Sequence, residues 1–398
     1  MKLLFIAGRL EPGKDGVGDY TWELAAECAR RGHPSSLLSL NDPWIKGPIK
    51  EISTDTGTSS LRLGPHQSWV DRVTAARAFV AETGPDLVSL QLLLYSFHPA
   101  GLSFVLPQLL RAIIGQTPVQ VMFHELWLGG QTGARLKTRV FGYCQRKIIE
   151  GVVKKLACRV THTSNPVYVR LLSRRGIEAK LLPLFGNVPI VQVDDVSFAE
   201  TGATKGERRT PNVERQTANV ERRTPNAIRL APREDAVLRL GIFGSLHPEW
   251  SPDAMLAELK TLGRPIQLSH IGRIGPGESV WTDLTGRHGT EIELSRLGER
   301  SVDEISRFLS YLDFGISTVP LALIGKSSSV AAMLDHGLPV IVNRDDVHFR
   351  GISRTAPFSD LLIPVDKNFL ARVRSARRLS PQSRLPQVAE QFLHDVGA

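Results

Sequence analysis

The sequence predicts two doubly wound α/β domains facing a cleft, and three observations carry that prediction. Short, nearly continuous apolar runs alternate with amphipathic stretches; a polar repeat interrupts the alternation once; the alternation then resumes with a second set of runs. Parallel strands covered by helices on both faces have this pattern, because every residue of such a strand meets an apolar layer. At 398 residues, 42% hydrophobic and 22% charged, the chain suits two medium-sized globular cores rather than one.

In the first half, strands are expected at 2–7, 36–39, 87–91, 119–123, 159–163 and 179–182, with helices at 19–31, 69–82 and 135–156 among them. The opening run, Met1-Lys-Leu-Leu-Phe-Ile-Ala-Gly8, is too short and too soon followed by charge for a signal segment, so it reads as the first buried strand. No apolar run approaches the roughly 20 residues needed to span a bilayer; the longest, 102–114, is interrupted by Pro107 and Arg111. Residues 207–227 then hold three copies of a seven-residue unit, Glu-Arg-Arg-Thr-Pro-Asn-Val and two variants. One apolar position per unit, with Pro211 and Pro225, rules out a coiled coil and reads as an exposed insert. Strands resume at 238–244, 266–271, 292–294, 314–317 and 339–342. The expected domains are 1–193 and 236–370, with 194–235 as connection and 371–398 as a helical tail.

Cys28, Cys144 and Cys158 form no CxxC pair and leave an odd thiol, so neither a disulfide framework nor a zinc site is expected. A reduced, cytoplasmic setting follows as the default. The net charge of +9 is local: residues 135–159 carry +7 and 205–234 carry +4, leaving the remainder slightly acidic. Only Phe141 and Tyr143 interleave with the first basic run and no aromatic with the second, which argues against nucleic-acid binding.

The most informative stretch runs from Gly315 to Val342: a buried strand, the turn Gly325-Lys326-Ser327-Ser328-Ser329 opening a helix, a stop at Gly337, and another strand. Such a turn gathers backbone N–H groups, hydroxyls and one ammonium, a combination suited to phosphate. It is no Walker A loop, since the position of that motif's first glycine is Pro320. The plainer alternative is a serine N-cap beside a solvated lysine. Two more segments stand out. Gly16-Val17-Gly18-Asp19-Tyr20 follows the first strand and lets backbone approach a ligand ahead of a helix. His124 and Glu125 follow the apolar run 119–123, where site residues of open sheets collect, although position 128 is leucine and the HExxH zinc motif fails.

These pieces in this order resemble the retaining GT-B glycosyltransferases of family 4. The matching segments are the Gly16–Tyr20 loop with its helix to Gly32-His33, Phe123-His124-Glu125, Arg159-Val-Thr-His-Thr-Ser164, and Leu182-Pro-Leu-Phe-Gly-Asn187. Gly241-Ile-Phe-Gly244, Leu297-Gly-Glu-Arg-Ser-Val-Asp-Glu304 and Gly337-Leu-Pro-Val-Ile341 complete the set. The resemblance implies two Rossmann-like domains, an N-terminal one for the acceptor and a C-terminal one for a nucleotide-sugar, and transfer with retention and no required metal or further cofactor. Gly16, Val17, Gly18, Asp19, His124 and Glu125 would then line the acceptor side, with His124 at the catalytic position. Gly244, Ser245, Lys326, Ser327, Ser328 and Ser329 would face the donor phosphates, where fixed dipoles and one cation stabilise departing charge.

The sequence departs from that family at the donor site. The arginine and lysine expected after the first C-terminal strand are replaced by Ser245-Leu-His247-Pro-Glu249-Trp250, and the two family glutamates fall on Ile324 and Ala332. Arg273 is a substitute phosphate ligand or a solvated loop residue. A non-catalytic homologue that binds nucleotide or glycan beside an active partner is the rival reading, and a nucleotide-sugar epimerase is a third, with His247 and Glu249 as its few candidate proton carriers. The basic segment 135–159 places Leu136, Val140, Cys144, Ile148, Val152 and Leu156 on one stripe. That stripe covers the sheet, or it lies on anionic lipid at the inner face of a membrane and so brings the enzyme to a lipid-linked acceptor.

Overall fold

Alternate side chains of a strand face opposite ways, and the first strand shows both faces buried: Leu3, Phe5 and Ala7 join one core cluster, Leu4 and Ile6 another. The computed structural model describes residues 1–191, 237–353 and 357–398. The repeat at 207–227, the connection 194–235 and the second basic run lie outside the described residues. The N-terminal sheet has eight strands, β1 (Leu3–Ala7), β2 (Ser35–Ser39), β3 (Ile49–Ile52), β4 (Ser59–Arg62), β5 (Leu87–Leu92), β6 (Val119–Phe123), β7 (Val160–Thr163) and β8 (Lys180–Leu181). Their order is β3-β4-β2-β1-β5-β6-β7-β8, parallel throughout except for the β3–β4 pair. The expected strands are present; β3 and β4 were not anticipated, because an edge hairpin whose outer strand is Ile-Lys-Glu-Ile and mostly exposed leaves no apolar run.

Helices α1 (Gly16–Arg30), α2 (Trp69–Thr83), α3 (Leu106–Ile114), α4 (Leu136–Leu156) and α5 (Pro166–Ser173) cover this sheet. Local chemistry sets their ends: Asp15 caps α1, Ser68 caps α2, and Gly84 closes α2 in the left-handed conformation. The second sheet is six-stranded and parallel, in the order β11-β10-β9-β12-β13-β14. Its strands are β9 (Leu238–Phe243), β10 (Ile266–Ile271), β11 (Glu293–Gly298), β12 (Phe314–Ser317), β13 (Val340–Val342) and β14 (Leu362–Pro364). It is covered by α6 (Asp253–Lys260), α7 (Glu278–His288), α8 (Val302–Tyr311), α9 (Ser328–Asp335) and α10 (Phe369–Ser375). Helix α8 opens with a complete capping box, Ser301 and Glu304.

The segment 371–398 is helical only in part, at the end of α10 and again over 385–396. Phe369 and Val373 of α10 belong to the second core, whereas α11 (Leu385–Val396) returns to the first domain and packs Val388, Phe392 and Val396 against Leu3, Phe5 and Leu24. The Arg31 guanidinium donates to the Pro386 carbonyl at 2.8 Å beside this contact. Asp335, 1% exposed at the end of α9, fastens the two halves. It accepts from the Gly186 amide at 2.8 Å and the Arg384 amide at 3.2 Å, and it pairs with the Arg384 guanidinium. Gly186 is required there, since a Cβ would come within 2.7 Å of the Ala332 Cα.

Candidate functional site

Strand β6 ends at Phe123, so His124 and Glu125 emerge at the carboxyl edge of the first sheet, where open α/β sheets place their sites. His124 is 7% exposed; its amide donates to the Leu92 carbonyl and its Nε2 lies 2.9 Å from Gln91 Oε1. The Tyr20 ring meets it edge-on, with centroids 5.2 Å apart, and Tyr20 stacks in turn on Phe185 at 4.7 Å. Burial disfavours the imidazolium and lowers the pKa of His124 to about 3, so the ring is neutral near pH 7. The buried Tyr20 hydroxyl has no hydrogen-bond partner among the described residues.

The loop Gly16–Asp19 is helical from Gly16 onward, and its N-terminus is closed by its own residue: Asp15 Oδ1 accepts from the Val17 amide at 2.9 Å and the Gly18 amide at 3.1 Å. Those two donors are therefore engaged and not presented to a ligand. Gly18 serves close packing, since a Cβ would sit 3.1 Å from the Arg9 carbonyl oxygen. Asp19 accepts from the Gly13 amide at 2.8 Å, and burial raises its pKa despite that bond. Gly16 looks across the cleft, where a Cβ would lie 3.8 Å from Ser328 Oγ.

On the other wall, Gly244 ends β9 with φ +85°, and a Cβ there would meet Ser329 Oγ at 2.7 Å. His270 Nε2 donates to the Gly244 carbonyl at 2.7 Å and pins this turn. Ser245, exposed, accepts at its carbonyl from Thr318 Oγ1 at 3.2 Å. Ser327 caps α9 by accepting from the Val330 amide at 3.3 Å, so the cap reading holds for that serine, while Ser328 and Ser329 turn toward the glycines of the two walls.

Lys326 Nζ lies 2.5 Å from Glu125 Oε1, an ion pair between the two domains. Burial works against its charge, but Tyr168 and Glu125 outweigh that and raise its pKa; Tyr168 itself is pushed up to about 12 by burial. Arg273 stands apart, paired with Glu299 at 2.7 Å with both side chains nearly two-thirds exposed. A buried cation that sequence reasoning passed over is Arg344, 4% exposed just beyond β13, bound to Asp346 at 2.6 Å and Glu249 at 3.1 Å. With Arg344 and Lys326 both close enough to lower its pKa, alongside the larger effect of burial, His247 belongs to the same positive cluster. The available signal was position: Arg344 follows a fully buried strand at its carboxyl end.

Ile324 and Ala332, at the two glutamate positions of the resembled family, are buried in the second core, at 4% and 0% exposure. Beside α9 lies a mainly apolar pocket of about 140 Å³ between the domains, lined by Ser164, Pro183, Ile324, Gly325, Val330 and Phe358. The stripe on α4 also differs from expectation. Ile148, Val152 and Leu156 cover the sheet, but Leu136 and Val140 are exposed at 75% and 55%, with Tyr143 beside them, because the buried face shifts onto Gly142 and Gln145. No helix among the described residues is long and apolar enough to cross a membrane.

Comparison with known proteins places this geometry. The whole chain superposes on the α,α-trehalose 6-phosphate synthase of Burkholderia multivorans with a TM-score of 0.52 and 11% identity, covering 100% of this chain and 98% of that one. The UDP-forming α,α-trehalose-phosphate synthase of Burkholderia xenovorans, solved with glucose-6-phosphate, gives 0.52 at 8% identity, with 100% of both chains covered. No curated protein sequence matches the chain. At these identities the likeness concerns the fold, which is GT-B: two Rossmann-like sheets with their carboxyl edges at a common cleft. Residues 15–187, the stretch that presents Asp19, His124 and Glu125, match the model of the glycosyl transferase 4-like domain.

Proposed function

We propose that this protein is a glycosyltransferase, moving a sugar from a nucleotide-sugar donor to a glycan, lipid-linked or small-molecule acceptor with retention of configuration. The observation that carries the reading is the ion pair Lys326–Glu125, which draws the opening of α9 against the strand end bearing His124. In transfer, the acceptor hydroxyl oxygen bonds to the anomeric carbon as the bond to the donor phosphate breaks; the departing phosphate oxygen keeps the bonding pair, gains charge, and takes up the acceptor's proton. A fixed cation and helix N–H groups beside that oxygen stabilise the charge without reorganising. Lys326 would exchange Glu125 for the phosphate, and Arg344 would supply the second positive charge in place of the missing arginine. His124, neutral and held by Gln91, would meet the sugar itself.

The test is calorimetric titration with UDP-, GDP-, ADP- and TDP-sugars, repeated on Lys326→Ala. Binding of one nucleotide class, weakened by about 1.5–3 kcal/mol in the variant, is expected for loss of a charge-assisted hydrogen bond; equal affinity in both proteins would sink the phosphate role of Lys326.

A second reading, a nucleotide-binding homologue without transfer activity, is favoured by the burial of Ile324 and Ala332 where the resembled family has glutamates. Donor binding with neither transfer nor donor hydrolysis over long incubation would establish it. Exposed Leu136, Val140 and Tyr143 among the cations of α4 favour a lipid-linked acceptor over a soluble one. Failure to co-sediment with anionic vesicles at low salt would remove that support.

A further inference from the structure

On the sheet face beneath α11, a line of buried polar side chains runs from the cleft toward the far edge. Ser89 and Gln91 on β5, Gln120 on β6 and His162 on β7 are all no more than 1% exposed. Buried polar groups are costly unless partnered, and here each is partnered by the next. Ser89 stands directly opposite Gln120 in the β5–β6 register, and Gln120 reaches diagonally to His162.

Hydrogen-bond directions along this line are fixed from its charged end. Asp395, in the last turn of α11, accepts from His162 Nε2 at 3.0 Å and from Lys180 Nζ at 2.6 Å. Burial opposes its ionisation, but Lys180 and His162 outweigh it and hold the carboxyl below the usual range. A carboxylate only accepts, so the His162 proton sits on Nε2 and its Nδ1 accepts from the Gln120 amide at 3.0 Å. The Gln120 carbonyl then takes the Ser89 hydroxyl at 2.6 Å, and the Ser89 oxygen takes the Gln91 amide at 2.8 Å. What remains of Gln91 toward the cleft is its carbonyl oxygen, 2.9 Å from His124 Nε2, which must therefore be the protonated nitrogen. Every donor in the line points toward Asp395, an arrangement in which successive bonds polarise one another in the same sense.

The geometry points to Asp395 as a positioning residue that fixes the tautomer of His124 through Gln91, Ser89, Gln120 and His162, leaving Nδ1 as the acceptor for a substrate hydroxyl. This deepens the reading of His124 as the group that meets the sugar and rests on it for its functional consequence. Nδ1 has no protein partner among the described residues, so its lone pair remains available. A histidine with free choice of tautomer would present an acceptor part of the time and a donor the rest; the line removes that choice.

The experiment is two-bond 1H–15N correlation on protein labelled with 15N-histidine, without ligand, for the wild type, Gln120→Met and Asp395→Asn, followed by steady-state kinetics on all three. The wild type is expected to show His124 as a single Nε2–H tautomer. Gln120→Met breaks the line with little change of volume, and Asp395→Asn replaces its only-accepting end by an amide that can face either way; both should give His124 a mixed signature. Turnover should fall roughly ten- to a hundredfold, the scale of losing a supporting partner, with donor KM unchanged. If Gln120→Met does not fold, Asp395→Asn, at the half-buried end, carries the same readout. An unaltered Nε2–H signature in a folded variant would overturn the inference, as would a mixed signature with full turnover. If the tautomer shifts but wild-type protein transfers no sugar, the proposed function fails while the tautomer control stands.

Discussion

The two walls of the cleft are held in different ways. On the N-terminal wall, His124 is fixed by burial, by the edge of Tyr20 and by a neutral hydrogen bond to Gln91. On the C-terminal wall, the cations Lys326 and Arg344 are fixed by ion pairs to Glu125, Glu249 and Asp346, whose side chains are 35%, 73% and 53% exposed. A hydrogen bond buried between neutral side chains, as His124 to Gln91, is little screened by salt, whereas pairs with exposed carboxylates are open to exchange. One wall is built to aim a single atom; the other keeps positive charge in place until an anion of better fit arrives.

Breaking the fixed wall should have the largest effect. His124→Ala is expected to lower turnover roughly a hundredfold or more, as for loss of a positioned proton partner, with donor affinity retained by titration. Normal turnover would return His124 to a packing role. Its burial also gives a pH signature. With its pKa lowered from 6.5 to about 3, the unfolded chain takes up this proton first. Folding stability is therefore unaffected by this group above pH 6.5 and falls as pH drops through the window toward 3, by at most about 1.4 kcal/mol per pH unit. Urea unfolding at pH 7, 5.5 and 4.5 should show a shallower decline in His124→Gln than in the wild type.

Breaking the exchangeable wall should have smaller effects, and one of opposite sign. Glu125→Gln frees Lys326 from its competitor, so nucleotide affinity should rise by about 0.5–1.5 kcal/mol, measured by the same titration. Weaker binding would mean that Glu125 orients Lys326 for the phosphate and does not compete with it. Arg273→Ala should change neither stability nor donor affinity beyond about 0.5 kcal/mol, as for an exposed ion pair; a larger loss of affinity would restore it to the donor site.

Much of the fold was legible because strands buried on both faces leave apolar runs, and β5, β6, β9, β10 and β12 all do. The site at the strand ends was legible for the same reason: His124 is the first polar residue after such a run. Pairing was not. Lys326 and Glu125 are 201 residues apart, and nothing local to either announces the other. The polar line under α11 was half visible, as Ser89 and Gln91 at strand spacing, but its meaning depends on a register that sets Ser89 against Gln120 and on a helix from the far end of the chain. Arg344 was hidden among charged neighbours, since burial of one arginine in Asn-Arg-Asp-Asp is a property of the fold and not of the run.

The return of α11 to the first sheet has a consequence in time. Helix α11 completes a core whose members outside that helix all lie before residue 190, so during synthesis that core waits while the entire second sheet is made. At about 5–20 residues per second, the roughly two hundred intervening residues take on the order of 10–40 s. Throughout that interval the face bearing Leu3, Phe5 and His162 has no α11 to cover it, and the nascent first domain is exposed to the ribosome surface and to chaperones as an apolar layer with a polar seam.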